Sequence, residues 1–496
     1  MSLRDENEFG VIQSRLVQIG MVCVLLGLVL VSIKYMMIGI SVRSLFVVVF
    51  VMLGAALLLL DRLYWVIPVF LFGFQHVIPM LKFEGFELGA ILLIGMFFFR
   101  AALHRDKLTS RHSLLWLIAL PFLLWMCIVW SMHPTGLLIF GGRTIGGRYY
   151  MKVILSFLSM IVSSMMILRE REARLFFWFY AAGIVANVCC HFIGLEEDGL
   201  SSVSQMDQTH YGFIQMSFLT SLLLCRYSIP YACTHFFPFI ALLVSGLLTL
   251  YAGNRTAFGR VALFALLTPF AMRRKRFASV VVFFVMGLAL AFAIAGHGNL
   301  YRLPFSFQRC FSFLPGKWDP RLERYGFNDE FRTEMRRLAR LEIHENPWTG
   351  LGGFSLDLQT LSFAGSSFHS DNFASMAYAR NWHNVWLGMA ADFGIPLSVA
   401  WGFFTFCSLR FIFFRLRRIP PDSWVGVLFA YFALLQIVGF VNTFFDGGHA
   451  SRTPQEIFIY FGLMVFALNG IEAESESRSI PQDSQASQPQ GKALPR

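Results

Sequence analysis

The chain has 496 residues, of which 56% are apolar, 55 are Phe and only 14% are charged, more apolar material than a soluble core of this length buries. The formal charge is +11, yet the Lys and Arg residues fall in the gaps between apolar runs rather than along one stripe, the pattern of membrane topology and not of nucleic-acid binding. A β-barrel is excluded by the absence of period-two alternation, so the expected fold is an all-α integral membrane protein whose first partner is the lipid bilayer, with no nucleic acid.

The opening MSLRDENEFG is polar and no cleavage site follows a short apolar region, so the first helix is read as an uncleaved span. Apolar runs of membrane-crossing length then recur at roughly 16 to 33, 44 to 60, 63 to 81, 86 to 103, 113 to 131, 149 to 168, 174 to 195, 209 to 225, 231 to 251, 256 to 272 and 277 to 296. After a long polar interval they resume at roughly 384 to 414, 423 to 445 and 455 to 470. The reading is about 12–14 transmembrane helices with one large outer loop. Residues 1–296 carry helices 1–11, 297–383 form the loop, 384–470 carry helices 12–14, and 471–496, rich in Ser, Gln and Pro, form a disordered tail. Of the eight Cys, only Cys310 falls in a long polar region, and no disulfide framework or CxxC pair is implied.

Basic residues set the orientation. With a cytoplasmic N-terminus the inner loops collect Arg62, then Arg100, Arg105, Lys107 and Arg111, then Arg169, Arg171 and Arg174, then Arg226, Arg273 to Arg276, and Arg415, Arg417 and Arg418. Both termini are then cytoplasmic and the 297–383 loop lies outside. Against this rule, Arg143 and Arg148 sit in the outer segment GGRTIGGRYY, Arg255 stands in AGNRTAFGR, and Arg260 lies about one turn inside the helix that follows. A guanidinium at that depth costs a few kcal/mol unless a partner or a water-filled cavity compensates it. One reading is snorkelling to the headgroups; the other is an outward-facing anion site, where planar guanidinium groups match phosphate oxygens.

Within the loop, Asn328 to His344 places Phe331, Met335, Leu338 and Leu341 at helical spacing, with Arg332, Arg336, Arg337 and Arg340 largely on the other faces. Pro347 and Gly350, Gly352 and Gly353 end this amphipathic helix, which reads either as a surface-lying helix or as a lid. The loop closes on Arg380-Asn381-Trp382-His383-Asn384-Val385-Trp386-Leu387, so that His383 lies where polar chain meets the lipid boundary. Glu84 with Glu87, and Glu196-Glu197-Asp198, are the clustered outer carboxylates; no Asp-x-Asp pair and no zinc-type His spacing is present, so no metal and no cofactor is expected.

Several of these segments resemble one family. FRTEMRRLARLEIHENPWTGLGGFS is similar to the O-antigen ligase and O-antigen polymerase segment in which an Arg-bearing helix precedes an "N/H-P-hydrophobic-x-G-hydrophobic-G" turn. HNVWLGMAADFGIP resembles that family's "His-Asn-x-x-Leu … acidic-x-Gly" signature, with Asp392 where Glu is commoner. LTLYAGNRTAFGRVALFAL looks like its "Ser-Arg-small" motif with Asn254 in place of Ser, and QMDQTHYGFIQM like its polar opening of an earlier helix. The resemblance covers about residues 205 to 400.

The resemblance implies a metal-independent glycosyltransferase of the bacterial inner membrane. It would move a saccharide from a polyprenyl-diphosphate-linked glycan donor to a hydroxyl of a glycan, lipid A core or protein acceptor at the periplasmic face. His383 is then the candidate base, an imidazole with an ordinary pKa of about 6.5 that can take a hydroxyl proton near neutrality, and Asn384 its orienting or sugar-binding neighbour. Arg255 and Arg332 match family positions for diphosphate binding; Arg260, Arg143 and Arg148 join them by location. A ligase and a polymerase share this chemistry and differ in acceptor; the single late loop beside the histidine favours the ligase. A lipid-linked oligosaccharide flippase or transporter is the reading from another class, disfavoured because charges gather at helix ends and no internal repeat is visible.

Overall fold

The computed structural model describes residues 63–75, 77–78, 83–104, 112–134, 147–192, 213–273, 276–312, 314–320, 322, 329–353, 382, 384–444 and 452–479. The expected spans at 16 to 33 and 44 to 60, and the charged part of the tail after 479, lie outside them. The described chain is helical, as an apolar chain in lipid must be to satisfy its backbone, apart from a two-residue antiparallel pairing of β1 (Val77–Ile78) with β2 (Phe83–Glu84).

In order, the helices are α1 (Val66–Phe74), α2 (Gly85–His104), α3 (Ser113–Met132), α4 (Gly147–Met165), α5 (Glu170–Phe192), α6 (Met216–Arg226), the single-turn α7 (Ile229–Ala232), α8 (Phe236–Tyr251), α9 (Arg255–Ala271), α10 (Arg276–Gly296), α11 (Phe305–Phe311), α12 (Asp329–Glu345), α13 (Val385–Phe393), α14 (Ile395–Leu416), α15 (Trp424–Asn442) and α16 (Arg452–Ser479). Six of them, α2, α5, α10, α14, α15 and α16, are long and apolar enough to cross a membrane, and α3, α6 and α8 contain shorter apolar stretches.

The centre of the bundle is α15 and α16, with 72% and 78% of their crossing windows buried; at the other extreme α10 has 6% and lies at the periphery. Aromatic side chains fill the space between central helices: Trp65 stacks on Phe176 at 5.6 Å and meets Phe466 edge-on at 6.0 Å, and Phe432 packs on both Phe176 and Tyr180. Such rings bury large apolar areas while their edges and faces pair.

Three elements depart from the expected spans. The run expected at 63 to 81 ends as a helix at Phe74, because Gln75 adopts a left-handed backbone (φ 44°) and the chain turns into the β1–β2 pairing. The last helix continues past 470 to Ser479, since Ile471 to Ser479 contains neither Gly nor Pro to stop it and Glu472 is held by Arg415 at 2.6 Å and His112 at 3.1 Å. The apolar run from 384 to 414 is two helices. Gly394 (φ 86°, ψ 166°) breaks it, and Pro396 starts α14 at a position where its missing N–H costs nothing. The Trp386 carbonyl accepts from Ser398 Oγ at 2.9 Å and its ring faces Gly402; in one straight helix, residues twelve apart are about 18 Å apart along the axis, so α13 folds back along α14.

The loop residues segregate into two ends. At one, Glu472 meets Arg415 and His112, Glu170 caps α15 through the amides of Trp424 (2.6 Å) and Val425 (3.2 Å), the Arg226 guanidinium lies 4.0 Å from the Trp424 ring centre, and Arg273 donates to the Arg417 carbonyl. All of these come from loops read as inner. At the other end gather the segments read as outer, and there the candidate site is built.

Candidate active site at one end of the bundle

Asn384 caps α13: its side-chain oxygen accepts from the Leu387 amide at 3.0 Å, satisfying one of the free donors of the first turn. The same chain entry is tied to the end of α15, because the Val385 amide donates to the Thr443 carbonyl at 3.2 Å and the Trp386 indole to Thr443 Oγ1 at 2.8 Å. On the other side of position 383, Trp382 is buried and its indole N–H donates to Asp392 Oδ1 at 3.1 Å. The residues flanking the candidate base are therefore both fixed; His383 itself, with Arg143, lies outside the described residues.

Helix α12 packs on this corner. Met335 and Ala339, both fully buried, share a cluster with Trp382 and Ala391, with Leu338, Ile343, Leu351 and Leu387 against it. The apolar stripe thus follows 335, 338, 339 and 343, and Leu341, expected on it, is 45% exposed; three residues beyond Leu338 the stripe has already passed to the next position at 3.6 residues per turn. Arg336, Arg337 and Arg340 are exposed. The side chains of Phe331 and Arg332 lie outside the described ones.

The turn after α12 explains the glycines. The Leu351 amide donates to the Ala391 carbonyl (2.9 Å), Gly353 to Asp392 (2.6 Å), and Ile395 to the Pro347 carbonyl (2.8 Å), which staples the turn to the C-terminal end of α13. Gly350 (φ 56°) and Gly394 (φ 86°) face one another there: a Cβ on Gly350 would stand 2.4 Å from the Ala391 oxygen, and one on Gly394 1.9 Å from the Trp348 oxygen. Only glycine permits both the backbone angles and the approach. Trp125 of α3 closes the same end by donating to the Phe393 carbonyl at 3.0 Å.

Arg255 opens α9, capped by Asn254, whose side chain accepts from the Ala257 amide at 2.9 Å. Asn, like Ser, is a strong N-cap. The Arg255 guanidinium donates to the Arg309 carbonyl (3.2 Å) and to Ser312 Oγ (2.6 Å), and Phe258 meets Phe311 edge to face, so that α11 is folded over this helix end. Beneath it, burial pushes the Cys310 thiol up to about 11 while the charges of Arg255 and Arg309 draw it partly back. Arg260, one turn further in, donates to Ser217 Oγ at 2.8 Å and lies 3.9 Å from the Phe218 ring centre. Among the described residues it has no carboxylate partner.

Arg148 differs. It pairs with Glu87 at 2.9 Å, and Lys152, one turn on, pairs with Glu84 at 2.9 Å and Glu87 at 2.8 Å; Glu87, Arg148 and Lys152 are all buried. Glu84 and Glu87 are thus paired with cations, while Glu196, Glu197 and Asp198 lie outside the described residues; among the described residues no three His, Cys, Asp or Glu side chains converge on a metal position. Sequence reasoning missed Lys152, which stands inside an apolar run as the sole cation of that run, and missed the role of Trp382; a cation about one turn inside a span was the signal for the first.

Residues 240–402 match the family model described as O-antigen ligase. The match runs from α8 into α14 and takes in three of the four motif segments; the fourth, around 205 to 216, lies upstream of it. No curated protein matches the chain. The helical, multi-span architecture agrees with this match: the chain is a multi-span membrane protein whose residues 240–402, about a third of its length, are similar to the O-antigen ligase family.

Proposed function

We propose that the protein transfers a saccharide from a polyprenyl diphosphate carrier to an acceptor hydroxyl at the periplasmic face of the bacterial inner membrane, without a metal. In this reading His383 takes the proton of the acceptor hydroxyl as the oxygen bonds to the anomeric carbon, while the bond from that carbon to the phosphate oxygen breaks and the diphosphate leaves with its negative charge. Asn384 holds the chain entry of α13 and contacts the sugar. Arginine cations stabilise the charge that develops on the leaving diphosphate, the type of electrostatic contribution that often dominates catalysis. The segment after α10 and both chain termini are assigned to opposite sides of the membrane, outside and cytoplasm.

The observation that carries the proposal is the docking of α12, the arginine-bearing helix of the family match, directly on Trp382, the residue next to His383. Arg260 supports it, because a guanidinium inside a bundle helix whose described partners are the Ser217 hydroxyl and the Phe218 ring keeps N–H donors for a bound anion. Arg255, Arg332 and Arg143 complete the proposed cationic face, with Arg148 acting through its pair with Glu87. Ligase-like transfer to a lipid A core is preferred over polymerisation on the ground of the one large outer segment beside the histidine.

The test is incubation of the purified protein with a polyprenyl-diphosphate glycan and either a lipid A core or a second glycan-carrier molecule, with mass spectrometry to see which gains the saccharide. His383→Ala, run in parallel at equal abundance, should lower turnover on the order of 10²-fold or more. Wild-type turnover in that variant, or no mass gain in any acceptor, ends the proposal.

A further inference from the structure

We infer that Asp392 is a positioning residue: its buried carboxylate holds the Trp382 indole against α12, and so fixes α12 to the chain that leads through Asn384 into α13. The inference rests on the reading of His383 as the base. Asp392 is 1% exposed and Trp382 3%, and they are joined through the 3.1 Å indole hydrogen bond across the whole length of α13. An indole has one N–H, in the plane of the ring, so a single acceptor fixes both where the ring lies and how it is turned. The ring is then gripped from two more sides. Met335 and Ala339 of α12 pack in its cluster, and Gly388 lies beneath it, where an added Cβ would stand 3.1 Å from Cδ1.

The main chain of the same aspartate is used as well. Its carbonyl accepts from the Gly353 amide, and the neighbouring Ala391 carbonyl from Leu351. The side chain of Asp392 therefore reaches the approach to His383, and its backbone holds the turn that leaves α12. Helix α12, its following turn and the Trp382 indole form one closed ring of contacts with Asp392 at the junction. A purely apolar residue at 392 would fill the volume and keep the backbone bonds, but it would leave the ring free to turn. In this account the acidic residue of the "acidic-x-Gly" motif acts on geometry, and the glycine two positions on, Gly394, permits the staple.

The experiment uses the full chain in lipid nanodiscs, measuring abundance, melting midpoint, kcat, donor KM and the pH profile for Asp392→Asn, Asp392→Ala, Trp382→Phe and the Asp392→Ala/Trp382→Phe pair, with His383→Ala alongside. Asp392→Asn should stay within about threefold of wild type, because an amide oxygen still accepts the indole bond. Asp392→Ala and Trp382→Phe should each lower kcat by about 10- to 10²-fold with donor KM little changed, the effect of about 1 Å of misplacement. The double variant should be no worse than the worse single, because both act through one contact. Asparagine as damaging as alanine together with an altered pH profile would mean that the carboxylate handles a proton, and overturn the inference. So would multiplicative effects, or activity that falls only as abundance falls. If Asp392→Ala does not accumulate, Asp392→Leu/Trp382→Phe, which removes donor and acceptor together, takes its place, and wild-type kcat in it overturns the inference. An inactive His383→Ala beside a normal Asp392→Ala refutes this inference alone, whereas a fully active His383→Ala refutes the base reading.

Discussion

Neutralising Glu87 will destabilise the protein far more than neutralising Glu84, although the two carboxylates are three residues apart and share a cation. Glu87 has a side chain 2% exposed and meets Arg148 at 2.9 Å and Lys152 at 2.8 Å; Glu84 is 25% exposed and meets Lys152 at 2.9 Å. Removing one partner of a buried pair strands the other charge in a low dielectric, at a cost of about 3–5 kcal/mol. For Glu84, solvent screens the vacancy, and about 1 kcal/mol is expected. Glu87 also accepts from the Glu84 amide at 3.1 Å, the bond that starts α2, so the loss reaches the helix end too. The assay is the melting midpoint of purified protein by tryptophan fluorescence, with membrane abundance, for Glu84→Gln, Glu87→Gln and Glu87→Gln/Arg148→Gln. The double variant removes the guanidinium together with its carboxylate and leaves Lys152 with Glu84, so it should recover part of what Glu87→Gln loses. Equal losses for the two single variants, or a double variant as poor as the sum of its parts, would refute the argument.

Gly394→Ala and Gly350→Ala should each cost about 3 kcal/mol or more, because left-handed backbone strain adds to a clash with main-chain oxygens that cannot move away; Gly287→Ala, with open space around it, is the control and should melt as wild type. Arg260→Lys and Arg255→Lys keep the charge but lose the planar fork, and full turnover in both would remove them from the diphosphate site. A reporter fused after Pro315 should read outside and one after Lys275 cytoplasmic; the reverse would put the His383 corner on the wrong face.

Much of the fold was legible because its rules are local. Helices such as α9, α10 and α15 fall within a few residues of their expected bounds, since apolar runs end at polar caps: Asn254, Asn384 and Ser423 each accept an amide of the first turn. The break at Gly394 was not legible, for a lone glycine within an apolar run has the same composition whether the helix continues or folds back. Partnerships were hidden for a related reason. Nothing near Arg148 in the chain announces Glu87, 61 residues earlier, and Asp392 reads as a motif letter until the indole ten residues before it is seen to point at it. Residue type and spacing name the candidate groups; only packing shows which of the described cations carry carboxylate partners.

Helix α10 inverts a common intuition about where a membrane protein is most itself. It is the most apolar of the six long spans and the least enclosed, with Phe277, Phe284 and Phe292 all exposed, while α15 and α16, less apolar, form the centre. Interior helices can carry Gln436 and Asn469 because neighbouring carbonyls accept their amide N–H groups: Gln436 donates to the Ile457 carbonyl and Asn469 to those of Ser164 and Met166. A helix that faces lipid has no such neighbours, so every polar substitution there is opposed. Hydrocarbon, however, asks only that a side chain be oily, not that it have a given shape. Selection on α10 therefore acts on chemical class and leaves identity free to drift, whereas α15 and α16 are held residue by residue. Among relatives the greasiest helix should be the most interchangeable, and hydrophobic strength alone would mistake this protein's rim for its heart.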